Sequence, residues 1–361
     1  MLGSRSITIP AGRKARILVV DDSVVIRRLV AAALEQVPDF EVVGTAANGK
    51  IALGRIEQLD PDVVTLDIEM PEMNGLETLK AIRARHYRAR VVMFSTLTER
   101  GGNATIEALS LGADDYATKA SNVGSLDRSM STLRDELIPK IRQLLRWEPL
   151  AKAPGLTVAK RPAPLAARPA RAMLRRALVI GISTGGPAAL SEIIPRFPAS
   201  FPAPVLIVQH MPAMFTRLLA ERLQLRSKLA VKEAQNGDLV TPGRILIAPG
   251  NLHLRVKNSG NRIVAALDQG PPENSCRPAA DVLFRSAAET WGGAVVAAIL
   301  TGMGQDGLKG AKVLTELGAY VVAQDEASSV VWGMPGAVVG AGLAHSVASL
   351  DTIVAEICKQ F

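Results

Sequence analysis

The stretch RILVVDDSVVIRRLVAAALEQ, residues 16–36, decides the fold of the first half of the chain. An apolar run from Ile17 to Val20 ends at Asp21 and Asp22, and apolar side chains then recur at helical spacing from residue 23 onward. A continuous apolar run predicts a strand buried on both faces, and the change of period predicts a helix directly after it. The stretch is therefore typical of the start of a parallel α/β sheet.

The same alternation continues along the chain and returns in its second half. Strand-like and helix-like segments follow one another at 41–46, 51–58, 63–66, 76–84 and 91–94. Further apolar runs, each followed by polar or glycine-rich residues, occupy 177–182, 205–208 and 294–300. Parallel strands need crossover connections, and these cover both faces of the sheet with helices. The predicted fold class is α/β, with two doubly wound parallel-sheet domains.

The length and composition of the chain agree with two domains. A chain of 361 residues exceeds the roughly 250 residues at which single hydrophobic cores stop growing. Hydrophobic residues make up 48% of the chain, which excludes a disordered protein. The segment between Trp147 and Ala177 contains five prolines and seven basic residues against one acid, which predicts a semi-extended linker. The predicted ranges are 15–135 for the first domain, 136–174 for the linker and 175–361 for the second domain.

The charge, the cysteine count and the apolar runs limit the location and the partners. Much of the net charge of +8 lies in the predicted linker, so no nucleic-acid partner is predicted. The chain has two cysteines, which excludes a disulfide framework and a four-cysteine metal site. The longest apolar runs fall short of the roughly 20 residues of a membrane span, and the N-terminus lacks the apolar stretch of a signal peptide. We expect a cytoplasmic protein.

Three carboxylates follow predicted strands of the first domain. Asp21 and Asp22 follow one strand and Asp67 follows another, so all three are expected at the carboxyl edge of the sheet, where ligands bind in such folds. Clustered carboxylates repel one another unless a cation lies among them, and an oxygen-seeking ion such as Mg²⁺ suits them. Ser95 or Thr96 and Lys119 are predicted to supply a hydroxyl and an ammonium group at the same edge. The pattern predicts a pocket for a phosphoryl group.

These residues resemble the response-regulator receiver family over about residues 15–135. The matching stretches are VVDDS at 19–23, LDIEMPEMNG at 66–75, Ser95 with Thr96, and DYATK at 115–119. The resemblance implies a flavodoxin-like fold in which Asp67 accepts a phosphoryl group and Lys119 contacts its oxygens. It also implies that Asp21, Asp22, Asp67 and the Glu69 carbonyl hold Mg²⁺, and that Ser95 and Tyr116 act with Lys119 as the switch. The chain departs from the family at Ala120, where proline is usual.

A serine lies between a strand and a helix at the start of the second domain. Ser183 occupies the stretch GISTGGP, 181–187, and Pro187 suits the first turn of a helix. Backbone N–H groups at such a turn can stabilise an oxyanion. The glycine pattern alone leaves three interpretations open: a nucleophile turn, a phosphate-binding loop or a structural turn. The lysine of a P-loop is missing from it.

A histidine and an aspartate favour the nucleophile, because a serine needs a base that a carboxylate orients. Of the four histidines, His210 is the best placed, since it ends the predicted strand 205–209. Asp306 follows the strand 294–300 in the loop TGMGQDG, 301–307. The predicted triad is Ser183, His210 and Asp306, with backbone N–H groups of Thr184 and Met303 as oxyanion donors.

Residues 175–361 resemble the catalytic domain of the chemotaxis protein-glutamate methylesterase family, CheB, which implies a Rossmann-like hydrolase domain. The order of receiver, linker and esterase also matches. The matching stretches are GISTGGP at 181–187, VQHMP at 208–212, APGNLH at 248–253, NSCRPAADVLF at 274–284 and TGMGQDG at 301–307.

The resemblance also implies the reaction, the substrate and the partner. Ser183 is expected to attack glutamate methyl esters of methyl-accepting chemotaxis receptors, in a phosphorylation-regulated reaction that serves sensory adaptation and needs no cofactor for ester hydrolysis. The same chemistry is expected to deamidate receptor glutamines. A histidine kinase of the CheA type is the expected phosphoryl donor, and contact with membranes is expected only through the receptors. The alternative function is a response regulator with a non-catalytic output domain.

Four further residues of the CheB-like stretches have roles that the sequence leaves open. Cys276 offers a thiol as an alternative nucleophile, but it precedes Arg277 and Pro278 and the sequence assigns no histidine to it. Arg277 and Asp281 are expected to shape the site or to pair with each other. His253 is expected to be either a support of the site or a structural residue.

Overall fold

The computed structural model describes residues 7–96, 98–119, 130, 133–147 and 174–361. The chain divides into two compact units, and the described part of the first ends at Trp147 while that of the second begins at Leu174. Within these ranges, no helix combines the length and the apolar character that a membrane span requires.

The first unit is a five-stranded parallel sheet with the strand order β3-β2-β4-β5-β6. Its strands are β2 (Ala15–Val20), β3 (Phe40–Ala46), β4 (Val63–Asp67), β5 (Arg90–Thr96) and β6 (Asp115–Lys119). Its helices are α1 (Val24–Glu35), α2 (Gly49–Leu59), α3 (Gly75–Ala84) and α4 (Glu99–Ser110). Strands β1 (Ile7–Ile9) and β7 (Leu145–Trp147) form a separate parallel pair.

Two of these helices, α1 and α3, begin at capping residues a few positions after the carboxylates that follow β2 and end β4. The Ser23 hydroxyl accepts a hydrogen bond from the N–H of Ile26 at the start of α1. Asn74 and Glu77 form a capping box at the start of α3, in which each side chain accepts from the other residue's backbone N–H. These caps satisfy N–H groups that have no partner within the helix.

The predicted linker differs from the structure at its start. Residues 133–137 form a π-helical turn, α5 spans Ile138–Leu144, and β7 follows it directly and pairs with β1. The side chains of Leu133, Leu137 and Ile141 are buried, so this segment packs as part of the first unit. Residues 136–147 of the predicted linker therefore pack with the first unit. The rest of the predicted linker, 148–173, lies outside the described residues.

A buried ionic cluster fastens the edge of the first sheet. The carboxylate of Asp114 accepts from Arg90 at 2.7 Å, from Arg83 at 2.8 Å and from the N–H of Val91 at 2.7 Å. Burial opposes the charged carboxylate, but the two guanidinium groups outweigh it and lower the pKa of Asp114. The side chains of Arg90 and Asp114 are each 4% exposed and that of Arg83 is 10% exposed, so this charge pairing is largely removed from solvent.

Replacing Asp114 by alanine is expected to destabilise the first unit by about 3 kcal/mol, because two buried guanidinium groups lose their acceptor. Calorimetry of the full chain should show a lower transition temperature for that unit. The matched control is Asp39→Ala, which breaks the solvent-exposed pair with Arg142 and should cost less than about 1 kcal/mol. Equal losses from both variants would contradict the structural role of the cluster.

The second unit contains a seven-stranded parallel sheet with the order β10-β11-β9-β8-β14-β15-β16. Its strands are β8 (Ala177–Ile182), β9 (Val205–Gln209), β10 (Ala230–Glu233), β11 (Arg244–Ile247), β14 (Val295–Ile299), β15 (Tyr320–Gln324) and β16 (Ser346–Ala348). Strands β12 (His253–Ser259) and β13 (Arg262–Asp268) form an antiparallel hairpin. The helices are α6 (Gly186–Ile193), α7 (Ala213–Gln224), α8 (Ala280–Trp291), α9 (Leu308–Glu316), α10 (Met334–Gly340) and α11 (Ile353–Cys358).

The three strands predicted for this unit are the adjacent strands β9, β8 and β14. Every residue of these strands is buried, as their continuous apolar sequences predict. Their carboxyl ends bring the loops that begin at Ser183, His210 and Leu300 to one edge of the sheet. The prediction of two doubly wound parallel α/β domains is confirmed.

Candidate active site and phosphoryl pocket

Ser183 lies in a tight turn between β8 and α6. Its N–H donates to the carbonyl of Thr301 at 3.0 Å, and its own carbonyl accepts from the N–H of Gly186 at 2.7 Å. Gly185 adopts a φ of +76°, and a Cβ there would lie 2.6 Å from Val330, so only glycine fits the turn. The turn therefore holds the serine backbone rigidly at the end of the strand.

The side chain of Gln209 joins the two strands that carry the candidate nucleophile and base. Its Nε2 donates to the carbonyl of Ser183 at 3.0 Å and to that of His210 at 3.3 Å. The β8–β9 ladder pairs Ile182 with Gln209, so Ser183 and His210 are the next residues on two neighbouring strands. Gln209 was not predicted as a site residue, although it lies in the stretch VQHMP.

The loop after β14 approaches Ser183 closely. A Cβ on Gly302 would lie 2.8 Å from the Cβ of Ser183, so glycine permits this approach. Met303 follows Gly302, and its side chain is partly exposed. The carbonyl of Thr184 accepts a hydrogen bond from the Thr301 hydroxyl at 2.9 Å. The structure thus brings the segments of Thr184 and Met303 together beside Ser183. Their roles as oxyanion donors stay predictions.

His210 and Asp306 form a buried pair. Nε2 of His210 lies 2.8 Å from Oδ2 of Asp306. The residue Asp306 is 1% exposed. Three backbone N–H groups also donate to this carboxylate, those of Ala280 at 2.5 Å, Asp281 at 3.0 Å and Gly307 at 3.0 Å. Burial raises the pKa of Asp306, but its interaction with His210 and the N–H groups of Ala280 and Asp281 outweigh burial and lower it. Asp306 is therefore held as an anion.

The contact with Asp306 fixes which nitrogen of His210 can act as a base. A carboxylate only accepts hydrogen bonds, so Nε2 carries a proton and Nδ1 holds the lone pair of the neutral ring. Burial disfavours the charged imidazolium, but hydrogen bonds with Asp306 and Cys276 outweigh it and raise the pKa of His210 to about 9.

Cys276 and Asn274 also contact this pair. Sγ of Cys276 lies 3.6 Å from Nδ1 of His210, so the expectation of a thiol without a histidine partner is wrong. Nδ2 of Asn274 donates to Oδ1 of Asp306 and to Oδ2 of Asp281, both at 3.0 Å. Sequence reasoning missed Asn274, although it opens the stretch NSCRPAADVLF.

The neighbouring polar residues are structural supports. The Arg277 guanidinium donates to the carbonyls of Gln269 and Gly270, both at 3.1 Å. Asp281 instead accepts from the N–H of Gly310 at 2.7 Å. Arg277 and Asp281 therefore bind different groups and do not pair with each other. Nδ1 of His253 accepts from the N–H of Ala279 at 3.3 Å, and its Nε2 lies 3.0 Å from the Pro271 carbonyl. His253 thus links two loops, which agrees with the structural role that was one of the two expected for it.

A second site lies at the carboxyl edge of the first sheet. Carboxylate oxygens of Asp21, Asp22 and Asp67 lie within 4.8 Å of one another. Nζ of Lys119 lies 2.7 Å from Oδ2 of Asp21 and 2.8 Å from Oδ1 of Asp67. Burial is the main cause that raises the pKa of Asp67 to about 6, and Lys119 opposes it. The four residues meet as the sequence predicts.

The residues of this pocket fit Mg²⁺. All three carboxylates offer oxygen ligands, and one ammonium group balances only part of their charge. Glu69 follows on the next loop, with an exposed side chain whose Oε1 lies 3.7 Å from Nε of Arg100. A role for the Glu69 carbonyl stays a prediction.

The predicted switch residues lie on the neighbouring strands β5 and β6. The buried hydroxyl of Ser95 donates to the carbonyl of Gly101 at 3.3 Å. Tyr116 is buried, which raises the pKa of its hydroxyl, and Nζ of Lys140 lies 4.4 Å from its ring centre. The side chain of Thr96 and the whole of Ala120 lie outside the described residues.

An acidic pocket on one doubly wound sheet and a serine turn beside a His–Asp pair on another are typical of a receiver-controlled α/β hydrolase. The family models agree: the CheB methylesterase model matches residues 178–357, and the response regulator receiver domain model matches residues 17–130. The chain belongs to the CheB methylesterase family.

Two relatives and one solved structure show how far the similarity extends. A protein-glutamate methylesterase/protein-glutamine glutaminase of a Nocardioides species is 52% identical over 96% of this chain and 95% of its own length. The protein of the same name from Trichodesmium erythraeum is 47% identical over 96% of this chain and 99% of its own length. The CheB methylesterase catalytic domain of Thermotoga maritima is 43% identical over 52% of this chain and 100% of that domain, with a TM-score of 0.51. The alternative of a non-catalytic output domain is not supported.

Proposed function

We propose that the chain hydrolyses glutamate methyl esters of methyl-accepting chemotaxis receptors and deamidates receptor glutamines, under the control of phosphorylation at Asp67. The observation that carries the enzymatic part is the 2.8 Å contact between Nε2 of His210 and Asp306, which directs Nδ1 of the ring to act as the base. Ser183 follows the neighbouring strand β8 and supplies the nucleophile. The relatives that bear the name of this activity support the proposal.

The proposed reaction proceeds in two steps. Nδ1 of His210 takes the proton of the Ser183 hydroxyl as its oxygen attacks the ester carbonyl, and Asp306 stabilises the imidazolium. Backbone N–H groups of Thr184 and Met303 stabilise the negative oxygen. Methanol leaves with the proton from His210, and water then hydrolyses the acyl-enzyme to free glutamate. In deamidation ammonia leaves in place of methanol.

The receiver unit supplies the control. A phosphoryl group from a CheA-type histidine kinase is transferred to the Asp67 carboxylate, and Lys119 contacts the phosphoryl oxygens. Asp21, Asp22, Asp67 and the Glu69 carbonyl hold Mg²⁺, which neutralises charge on the phosphoryl group when it is bound. Ser95 and Tyr116 act with Lys119 as the switch that responds to the phosphoryl group on Asp67. The proposed location is the cytoplasm, with membranes contacted only through the receptors and with no nucleic-acid partner.

The pH dependence of methanol release tests the role of His210. The base must be neutral to accept a proton, and the pKa of His210 is raised to about 9, so kcat/KM should increase with pH and reach half its maximum near pH 9. Methylated receptor membranes are the substrate, assayed between about pH 6 and pH 10. A profile that is flat over this range, in a protein that stays folded, would contradict His210 as the base.

A further inference from the structure

A four-residue turn, Glu273 to Cys276, lies against the His210–Asp306 pair. The N–H of Glu273 donates to the carbonyl of Cys276 at 3.0 Å, and the N–H of Cys276 donates back at 2.8 Å. Asn274 and Ser275 adopt left-handed conformations, with φ of 51° and 62°. This backbone geometry costs free energy in residues other than glycine, so the surrounding contacts must hold it in place.

The turn is fastened to the helix that also binds Asp306. The Glu273 carboxylate pairs with Arg285 of α8, and the N–H groups at the start of α8 donate to Asp306. The side chains at positions 274 and 276 of the turn then contact one member each of the catalytic pair, Asp306 and His210. The position of the turn is thus tied to the geometry of the proposed base.

The contact made by Cys276 falls on the nitrogen that the reaction uses. Nδ1 of His210 has a single lone pair in the ring plane, and one donor at a time can occupy it. In the described part of the chain, Sγ of Cys276 is the hydrogen-bonding contact of this nitrogen, at 3.6 Å. The protonated ring donates its Nδ1–H to this sulfur, and in that arrangement the lone pair is unavailable to Ser183.

We infer that Cys276 is a positioning residue that occupies the base nitrogen of His210 in the resting enzyme and releases it to Ser183 when substrate binds. The inference rests on the proposed function, because it presupposes that His210 serves Ser183. The thiol makes no bond to the substrate in this scheme. It holds the imidazole ring in place and limits the fraction of enzyme in which the base is free.

The charged and titratable groups around His210 give this arrangement a measurable signature. Asp306 faces Nε2, Cys276 faces Nδ1, and Asp281 lies behind Asp306 across the Asn274 amide. Removing Cys276 leaves the carboxylates in place and takes away one of the interactions that favour the protonated ring. The pKa of His210 should therefore fall while its contact with Asp306 persists.

The test is the pH profile of methanol release by Cys276→Ala in the full chain. The acid limb is expected to move to lower pH by about one unit, so that kcat/KM near pH 7 increases about tenfold while the plateau at high pH changes little. Cys358→Ala is the matched control, because it removes the other cysteine, which lies at the end of α11, and should leave the profile unchanged. Cys276→Val, of similar size and without a donor, should behave like the alanine variant.

Nitrogen NMR of the histidine rings gives a second measurement that does not require turnover. In Cys276→Ala and Cys276→Val the His210 ring should titrate at lower pH than in the wild type, with its proton still on Nε2. Whichever variant folds, as judged by its thermal transition, is sufficient for the test.

Three outcomes would overturn the inference. An acid limb and a His210 titration that stay at their wild-type positions would show that Cys276 does not occupy the base. A loss of activity by the same factor at every pH would show a purely structural role. Loss of all activity in Cys276→Ala together with full activity in Ser183→Ala would make the thiol the nucleophile, and this outcome would overturn the proposed function as well. The first two outcomes leave the proposed function intact.

Discussion

Replacing Ser183 by alanine is expected to reduce methanol release from methylated receptor membranes by at least about ten-thousandfold. The turn that holds Ser183 depends on backbone contacts with Thr301 and Gly186, and alanine keeps all of them. The loss should therefore appear in kcat, with little change in the thermal transition of the second unit. Deamidation of receptor glutamines should fall in parallel, because both reactions need the same nucleophile.

The matched control for this variant is Ser191→Ala. Ser191 lies in α6, directly after the Ser183 turn, and its buried hydroxyl donates to the carbonyl of Pro187 at 2.7 Å. Its loss should cost about 1 kcal/mol of stability and leave kcat within about twofold of the wild type. Methanol release that survives in a folded Ser183→Ala protein would contradict Ser183 as the nucleophile.

Replacing Asp67 by asparagine is expected to abolish incorporation of a phosphoryl group from acetyl phosphate in the presence of Mg²⁺. An amide cannot form the acyl phosphate, whereas the Asp67 carboxylate lies beside Lys119 and two further carboxylates. Mass spectrometry of the intact protein measures the incorporation directly. Stimulation of the esterase by acetyl phosphate should disappear in the same variant.

Asp39→Asn is the control for this experiment, since Asp39 is an exposed carboxylate that pairs with Arg142 outside the acidic pocket. It should accept the phosphoryl group and respond to acetyl phosphate as the wild type does. Incorporation that persists in Asp67→Asn at the wild-type level would place the acceptor at another residue. It would leave the esterase assignment untouched.

The strands that position both sites could be predicted because they are continuous apolar runs. Ile17 to Val20 and the strands β8, β9 and β14 are buried on both faces, and few other structures account for such runs. The hairpin β12–β13 was missed, since its strands are partly exposed and their pattern is irregular. The helix α5 carried a usable signal in the apolar spacing of 133, 137, 138 and 141, which the nearby prolines and basic residues obscured.

The residues of the candidate sites were predictable to the extent that they end strands. Asp67, Ser183 and His210 each follow a buried strand, so topology alone brings them to a sheet edge. The contact between Cys276 and Nδ1 of His210 was not predictable, because it depends on two left-handed residues in a turn far away in sequence. The sequence also carries no information on which imidazole nitrogen faces Asp306.

Methanol release from methylated chemoreceptor membranes, with and without Mg²⁺ and acetyl phosphate, tests the central claim most directly when the wild type is compared with Ser183→Ala and Asp67→Asn. We expect release by the wild type that increases on phosphorylation, no release by Ser183→Ala, and basal, unstimulated release by Asp67→Asn. Absence of methanol release from the folded wild type under every condition, with several receptor preparations, would contradict the claim that this chain is a receptor methylesterase.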